Sequence, residues 1–362
     1  MAFIKVGSGD LVTNPIPTKK KAIDKVDLVV LFKRSNKPYG RIPANMLPDL
    51  VGELNLRSFA YQELVQATDN FKEELGRGAF GKVYKGYLPN GSKRSIPVKK
   101  LEVQLEEGER EFEAEMKTIA TTHHRNSAQL IGFCNEGSNR LLVYEYMSNV
   151  SLADILFKAG SRPAWNERAK IALDVAKRIY YLHEECGAHT IHCDIKPQNE
   201  LMGESWNATI SDFGLAKLLM PDQTKTYTGI RGTRGYVAPE WHKSAPITTK
   251  TDVYSYGILL LEIVCCRRHV NTQATEEEVG ELGKLVGDEN VETTVLKKMV
   301  KVALWCTLDE AMVRPTMKKV ILILEGTIPI PDPPSMASCR NTETAEVPFA
   351  RDSMRIQTSS AD

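Results

Sequence analysis

Residues 192 to 199 read His192-Cys193-Asp194-Ile195-Lys196-Pro197-Gln198-Asn199. An aspartate, a lysine two positions on and an asparagine five on put three kinds of polar group on one loop. Asp194 can accept the proton of an attacking hydroxyl, Lys196 can neutralise a transferring phosphoryl group, and Asn199 can ligate Mg²⁺. Thirteen residues beyond Asn199, Asp212-Phe213-Gly214 supplies a second metal carboxylate. Hard oxygen ligands in small number suit Mg²⁺, which keeps water and phosphate oxygens for the rest of its octahedron. Ala238-Pro239-Glu240 closes the segment. Each piece alone is ordinary loop; their order is what carries information.

Upstream, Gly76-Arg77-Gly78-Ala79-Phe80-Gly81-Lys82-Val83 is a GxGxxGxV loop, and glycine lets a backbone approach phosphate closely. A dinucleotide fold needs a helix directly after such a loop and an acidic residue about 20 positions on. Here the loop runs into Val83-Tyr84-Lys85-Gly86, a strand pattern, and the next notable residue is Lys99 in Ile96-Pro97-Val98-Lys99. Lys99 on a strand and Glu115 on an apolar-striped helix match an ammonium held by a helix carboxylate and aimed at the α/β-phosphates.

The elements that must position these groups change character near residue 148. Residues from about 71 to 147 read as short strands with Gly and Asn turns, among them Lys82–Lys85 and Leu141–Tyr146. One helix interrupts them over Glu109–Ala120, with Phe112, Met116 and Ile119 on one stripe. Beyond lies helical sequence: Ile171, Ala172, Val175, Ala176, Ile179 and Leu182 share a face, as do Val295, Met299, Val302 and Trp305. A strand-rich lobe and a larger helical lobe follow, with a crevice expected between them. Residues 1–57 and 327–362, rich in Pro, Lys, Asn, Ser and Thr, are expected to be a disordered leader and tail.

Composition sets the outer bounds. With 362 residues, 42% apolar and 26% charged, the chain is an ordinary globular sequence. A net charge of +1 leaves no global basic field for nucleic acid, and none is expected as a partner. Seven cysteines with no CxxC pair support neither a zinc ribbon nor a disulfide scaffold. No signal-peptide core is visible, and Leu28–Phe32, rising about 7.5 Å as helix, cannot span a hydrocarbon core of about 30 Å. Lys19-Lys20-Lys21 leaves weak membrane-surface association open.

On FKEELGRGAFGKVYKG, LLVYEYMSN, YLHEEC, IHCDIKPQN, ISDFGLAKLL, GIRGTRGYVAPEW, DVYSYG and RPTMKKV, the chain resembles plant receptor-like serine/threonine kinases of the G-type lectin S-receptor class. The resemblance covers about residues 58–335, and AFIKVG and PIPTKKK are similar to the stretch flanking that class's membrane span. It implies the α+β two-lobed kinase fold: an N-lobe over 58–147, with a small antiparallel sheet, one helix and a short preceding segment, and a mostly helical C-lobe over 148–326. It implies ATP and Mg²⁺ as cofactors and a protein Ser/Thr hydroxyl as acceptor. It also implies a cytoplasmic kinase portion of what in intact members is a plasma-membrane receptor. ATP would meet Leu75, Gly76, Arg77, Gly78, Ala79, Phe80, Gly81, Val83 and Lys99, with Glu145 and Met147 in a hinge running from Tyr144 behind adenine. Lys99 would pair with Glu115, Asp194 would be the base assisted by Lys196, and Asn199 and Asp212 would hold Mg²⁺. Arg314 would pair with Glu240, and Asp252 would brace the catalytic loop from a buried helix. Lys196 with Gly232-Thr233-Arg234-Gly235-Tyr236 resembles the serine/threonine pattern.

Several positions depart from that class. Cys193 stands where many kinases have an arginine that pairs with a phosphate on the activation loop, so activity is expected to depend less on modification of Thr224, Thr226, Tyr227 or Thr228. Pro97 removes a ladder donor and adds bulk to the nucleotide roof, at a cost of about 1–3 kcal/mol. Glu200 replaces an apolar strand residue, Ser127-Ala128 an apolar pair, and Val150 a glycine. Residues 269–294 are shorter than in the class, though Thr275–Glu278 reads as a helix start followed by Val279, Leu282 and Val286. These departures give the rival reading, a catalytically impaired pseudokinase acting as a scaffold.

Overall fold

The computed structural model describes residues 56–78, 81–88, 95–102, 107–121, 130–145, 150–158, 162–203, 207–219, 223–243, 245–268, 286 and 292–330. These fall into two compact units, the first holding residues up to 121 with 130–145 and 186–188, the second the remainder.

The strands of the first unit are β1 (Arg57–Ser58), β2 (Glu74–Gly78), β3 (Gly81–Tyr87), β4 (Ser95–Leu101), β5 (Leu130–Glu136) and β6 (Asn139–Tyr144). They form one sheet in the order β1-β5-β6-β4-β3-β2. Helix α1 (Tyr61–Ala67) precedes β2, and α2 (Glu107–Thr121) connects β4 to β5. Because side chains alternate across a strand, the sheet has two apolar layers. Leu101, Phe133 and Leu142 lie in one with Phe112 and Met116 of α2. Val98, Cys134, Leu141 and Val143 lie in the other with Leu64 of α1.

Two features of this unit differ from expectation. The sheet is not wholly antiparallel: β1 pairs parallel to β5, Arg57 opposite Gly132 and Ser58 opposite Phe133. Leu56 and Arg57, assigned to the leader, therefore belong to the folded unit, and Leu56 is buried. A two-residue strand is too short to show the period that marks strands in a sequence. Pro97 lies within β4 opposite Lys85. The β4–β6 pairs run from Val98 to Lys100, so the proline precedes that ladder, consistent with the edge positions proline tolerates.

The second unit begins with α3 (Leu152–Phe157), whose N-cap Ser151 accepts from the Asp154 N–H. Helix α4 (Trp165–Tyr180) buries the expected face through Ile171, Ala172, Val175, Ala176 and Ile179. A π-type turn (Tyr181–Glu185) leads to β7 (Thr190–Ile191), and a 3-10 turn over Pro197–Asn199 enters β8 (Glu200–Met202). Strand β9 (Ala208–Ile210) pairs antiparallel with β8, and β10 (Lys217–Leu218) with β7. Helix α5 (Thr249–Cys265), capped by Thr248, is buried on nearly every side, as expected of a helix at the centre of a core. Helices α6 (Thr293–Cys306) and α7 (Met317–Leu324) complete the unit, and Met299, Val302 and Trp305 of the expected α6 face are buried. Of residues 269–291, only Val286 is described; it is buried, and its carbonyl accepts from Arg168 at 3.5 Å. The remaining residues of that stretch, Ser127-Ala128, most of the leader and the tail beyond residue 330 lie outside the described residues.

Candidate active site

In the first unit the register of β3 and β4 sets Val83 opposite Lys99. Lys99 is buried, and its ammonium donates to Oε2 of Glu115, on α2, at 2.7 Å. The second oxygen of Glu115 accepts from the Tyr144 hydroxyl at the end of β6. Three elements thus converge on one carboxylate that is 1% exposed. A buried ion pair is costly to assemble and more costly to break, so removing either partner would leave the other poorly compensated.

The glycine loop is the β2–β3 hairpin, with Gly76 opposite Val83 and Gly78 opposite Gly81. A Cβ at Gly81 would meet the Lys100 carbonyl at 2.3 Å, so this glycine serves the close approach of β3 to β4. At Gly76 a Cβ would meet nothing within 4 Å and at Gly78 only a carbonyl at 3.9 Å. Among the described residues no neighbour crowds either position. Arg77 is turned to the surface pair with Glu74 at 3.2 Å, and Leu75 is exposed. Glu145 follows β6 and is half-buried; Ala79, Phe80 and Met147 lie outside the described residues.

In the second unit, Asp252 of α5 is fully buried beneath the 192–199 loop. Its Oδ2 accepts from the His192 N–H at 2.8 Å and lies 2.9 Å from His183 Nε2, while its Oδ1 accepts from the Cys193 N–H at 2.9 Å. These bonds hold Cys193 at φ 66°, a left-handed conformation that a non-glycine residue keeps only when its surroundings impose it. The Asp194 N–H donates to His192 Nδ1 at 3.2 Å, which puts the ring proton on Nε2, 3.2 Å from the Ser211 carbonyl. Burial, then the nearby Asp252 carboxylate, pushes the Cys193 thiol well above its ordinary range. An uncharged thiol cannot serve as the phosphate-binding cation that many kinases carry at this position.

The turn presents the Asp194 carboxylate to three donors. Oδ2 accepts from Lys196 Nζ at 2.6 Å and Asn199 Nδ2 at 3.0 Å, and Oδ1 from the Thr233 hydroxyl at 2.7 Å. Lys196 also donates to Thr233 at 2.8 Å, closing a ring of three side chains. The Asn199 NH₂ also donates to the Asp194 carbonyl at 2.9 Å, leaving its amide oxygen as the atom open to a cation. The Asn199 carbonyl accepts from both the N–H and the hydroxyl of Ser211, at 2.8 and 2.9 Å. The next residue, Asp212, is held left-handed at φ 62°. Phe213 is buried with its ring edge against His192, centroids 5.1 Å apart. An amide oxygen and a carboxylate are donors of the hard kind that suits a divalent cation.

Farther along, Arg314 forms a two-pronged pair with Glu240, both bonds 2.8 Å, and Thr251 donates to the same carboxylate. Glu200 is wholly buried on β8, and neither of its oxygens has a hydrogen-bond partner among the described residues. Sequence reasoning missed the working roles of Thr233 and Tyr144. Thr233 sits in a stretch read only as a marker of acceptor class, and the contact from Tyr144 to Glu115 depends on strand register.

A family model described as protein tyrosine and serine/threonine kinase matches residues 70–324. The chain is 50% identical over 305 residues to the G-type lectin S-receptor-like serine/threonine-protein kinase LECRK4 of Oryza sativa subsp. indica, covering 80% of this chain and 38% of that protein. It is 47% identical over 319 residues to RLK1 of Arabidopsis thaliana, of the same descriptive name, covering 84% and 38%. Rice LECRK2 (subsp. japonica) is 48% identical over 325 residues, covering 85% and 39%. The chain thus spans less than two fifths of the length of these curated relatives.

Proposed function

Because the chain belongs to the protein tyrosine and serine/threonine kinase family, we propose that it transfers the γ-phosphoryl group of ATP to serine or threonine hydroxyls of protein substrates. The observation that carries this reading is the Asp194 carboxylate, fixed by Lys196, Asn199 and Thr233 on a turn anchored from beneath by Asp252. Such fixing is what positional catalysis requires, since the enzyme does little covalent chemistry in phosphoryl transfer.

In the reaction the acceptor oxygen bonds to the γ-phosphorus, the bond to the β–γ bridging oxygen breaks, and ADP leaves. Asp194 orients the acceptor hydroxyl and takes its proton; Lys196 offsets charge on the moving phosphoryl group. Lys99, held by Glu115, positions the α/β-phosphates, and the Gly76 and Gly78 backbone lies over them, with Glu145 and Met147 on the adenine side. Asn199 and Asp212 would hold Mg²⁺, which supplies charge neutralisation on the phosphate oxygens when bound. The Lys196–Thr233 contact supports hydroxyl acceptors of the serine/threonine type. The relatives are named receptor-like, which supports work at the cytoplasmic face of a membrane beside receptors. Among the described residues no helix is long and apolar enough to cross a membrane.

The test is purified chain with radiolabelled ATP, Mg²⁺ and a general protein acceptor, beside Asp194→Asn. Label on serine and threonine, reduced about 10³-fold or more in the variant, is expected. No label from the native chain, with no thermal shift on adding MgATP, would establish the scaffold instead.

A further inference from the structure

Residues 56–69 precede the stretch that matches the kinase family, yet they complete its first unit. Leu56 is 6% exposed and packs in the layer that contains Phe112 and Met116 of α2, the helix that carries Glu115. Tyr144, whose hydroxyl holds Glu115, is packed against that same layer. Three residues on, Phe59 is buried in the opposite layer, joined by Leu64 and against Val98 of β4, the strand that carries Lys99. The segment therefore wraps the sheet edge and covers both faces, one side chain on the helix of the ion pair and others on its strand.

Its attachment is specific. β1 adds parallel to β5, the Phe59 N–H donates to the Phe133 carbonyl at 2.8 Å, and the Tyr61 N–H donates to Glu136 at 2.9 Å. Gly132 admits the strand: a Cβ there would lie 2.2 Å from the Arg57 carbonyl and 2.4 Å from the Phe59 ring. At the far end Asp69, Asn70 and Phe71 are all left-handed, with φ of 49°, 58° and 58°. This turn sets the Phe71 ring 4.5 Å from the ammonium of Lys100, the neighbour of Lys99. Three such residues in a row are held only where surrounding contacts impose them.

We propose that residues 56–71 are a strap that positions the Lys99–Glu115 pair, so that release of β1 from β5 loosens α2 and slows phosphoryl transfer. The proposal rests on the kinase reading of the site and deepens it. Leu56 and Phe59 are positioning residues acting through Glu115 and Lys99. Whatever holds or pulls the chain on the N-terminal side of residue 56 then has a mechanical route to the ion pair.

The experiment uses the full chain with Gly132→Ala, which displaces β1 while leaving the ion pair chemically intact, and separately Leu56→Ala. Gln62→Ala, on the exposed side of α1, is the control. Both test variants are expected to lower kcat about 3- to 30-fold with KM for ATP nearly unchanged, and to speed amide exchange across 107–121. In a Glu115→Gln background neither should lower kcat further, because the route is already cut. A loss that multiplies with that of Glu115→Gln marks general destabilisation and overturns the proposal, as does unchanged helix exchange in both variants. If the unaltered chain transfers no phosphoryl group, the kinase reading fails by itself. The strap is then judged on helix exchange alone, where acceleration upholds it and no change overturns it.

Discussion

Glu200 shows what a single side chain does when the fold gives it nothing to bond. Burial pushes its carboxyl up to about 8, with Arg178 pulling down and Asp174 pushing up by smaller amounts. The folded chain therefore holds a proton on Glu200 at pH values where the unfolded chain has released it. Between the ordinary value of 4.5 and about 8 the folded state binds more protons, so stability falls as pH rises through that window and levels off above it. The total is of order a few kcal/mol. Urea midpoints measured from pH 5 to pH 8.5 should fall steadily, and Glu200→Leu should raise stability at pH 8 and flatten that slope. An unchanged slope in the variant would show that other groups set the pH dependence. The sequence already exposes this residue, since a glutamate in an otherwise apolar strand stands out without coordinates. What it cannot show is whether a cation is near enough to pair with it; Arg178 is near, but neither Glu200 oxygen is hydrogen-bonded among the described residues.

At the scale of elements, helix α5 works through one carboxylate. Asp252 uses different oxygens for the His192 and Cys193 N–H groups, and an asparagine has only one acceptor oxygen. Asp252→Asn must therefore turn its NH₂ toward one buried donor, leaving that donor unpaired at about 1–3 kcal/mol. We expect a drop of that size in urea unfolding at pH 7, together with a lower kcat, because the turn beneath Asp194 loses an anchor. Loss of stability with kcat intact would separate the helix from the turn that carries Asp194. The elements differ in how plainly they were written. Helix α2 is legible because Phe112, Met116 and Ile119 form a stripe against polar neighbours, and β3 and β6 because Val83-Tyr84 and Leu141–Tyr144 are β-prone residues between turns. The groups proposed to be catalytic stand out in the sequence because Asp194, Lys196 and Asn199 share one loop at a spacing that suits phosphoryl transfer. β1 and α1 were not legible: a strand of two residues has no period, and α1 has seven residues, too few for Tyr61, Leu64 and Val65 to make a sustained stripe. The glycine at 132 that admits β1 has meaning only once the paired strand is known.

For the whole molecule, the cysteines report whether both units are closed. Cys134, Cys193, Cys265, Cys266 and Cys306 are free and buried, Cys186 is buried as well, and the six are shared between the two units, while Cys339 lies outside the described residues. Burial is the first cause of the raised thiol values: Cys265 is pushed to about 11, and Cys134, Cys266 and Cys306 are raised too. Since only the thiolate reacts, both access and ionisation oppose alkylation in the native state. Six of the seven thiols should resist iodoacetamide at pH 8 for as long as the fold holds, labelling at least about 10³-fold slower than in denaturant. Mass spectrometry resolves the sites, so Cys134 reads the opening of the first unit and Cys306 that of the second. Rapid native labelling of Cys134 alone would mean that the sheet carrying Lys99 opens without global unfolding, and the ion pair would then be an intermittent structure.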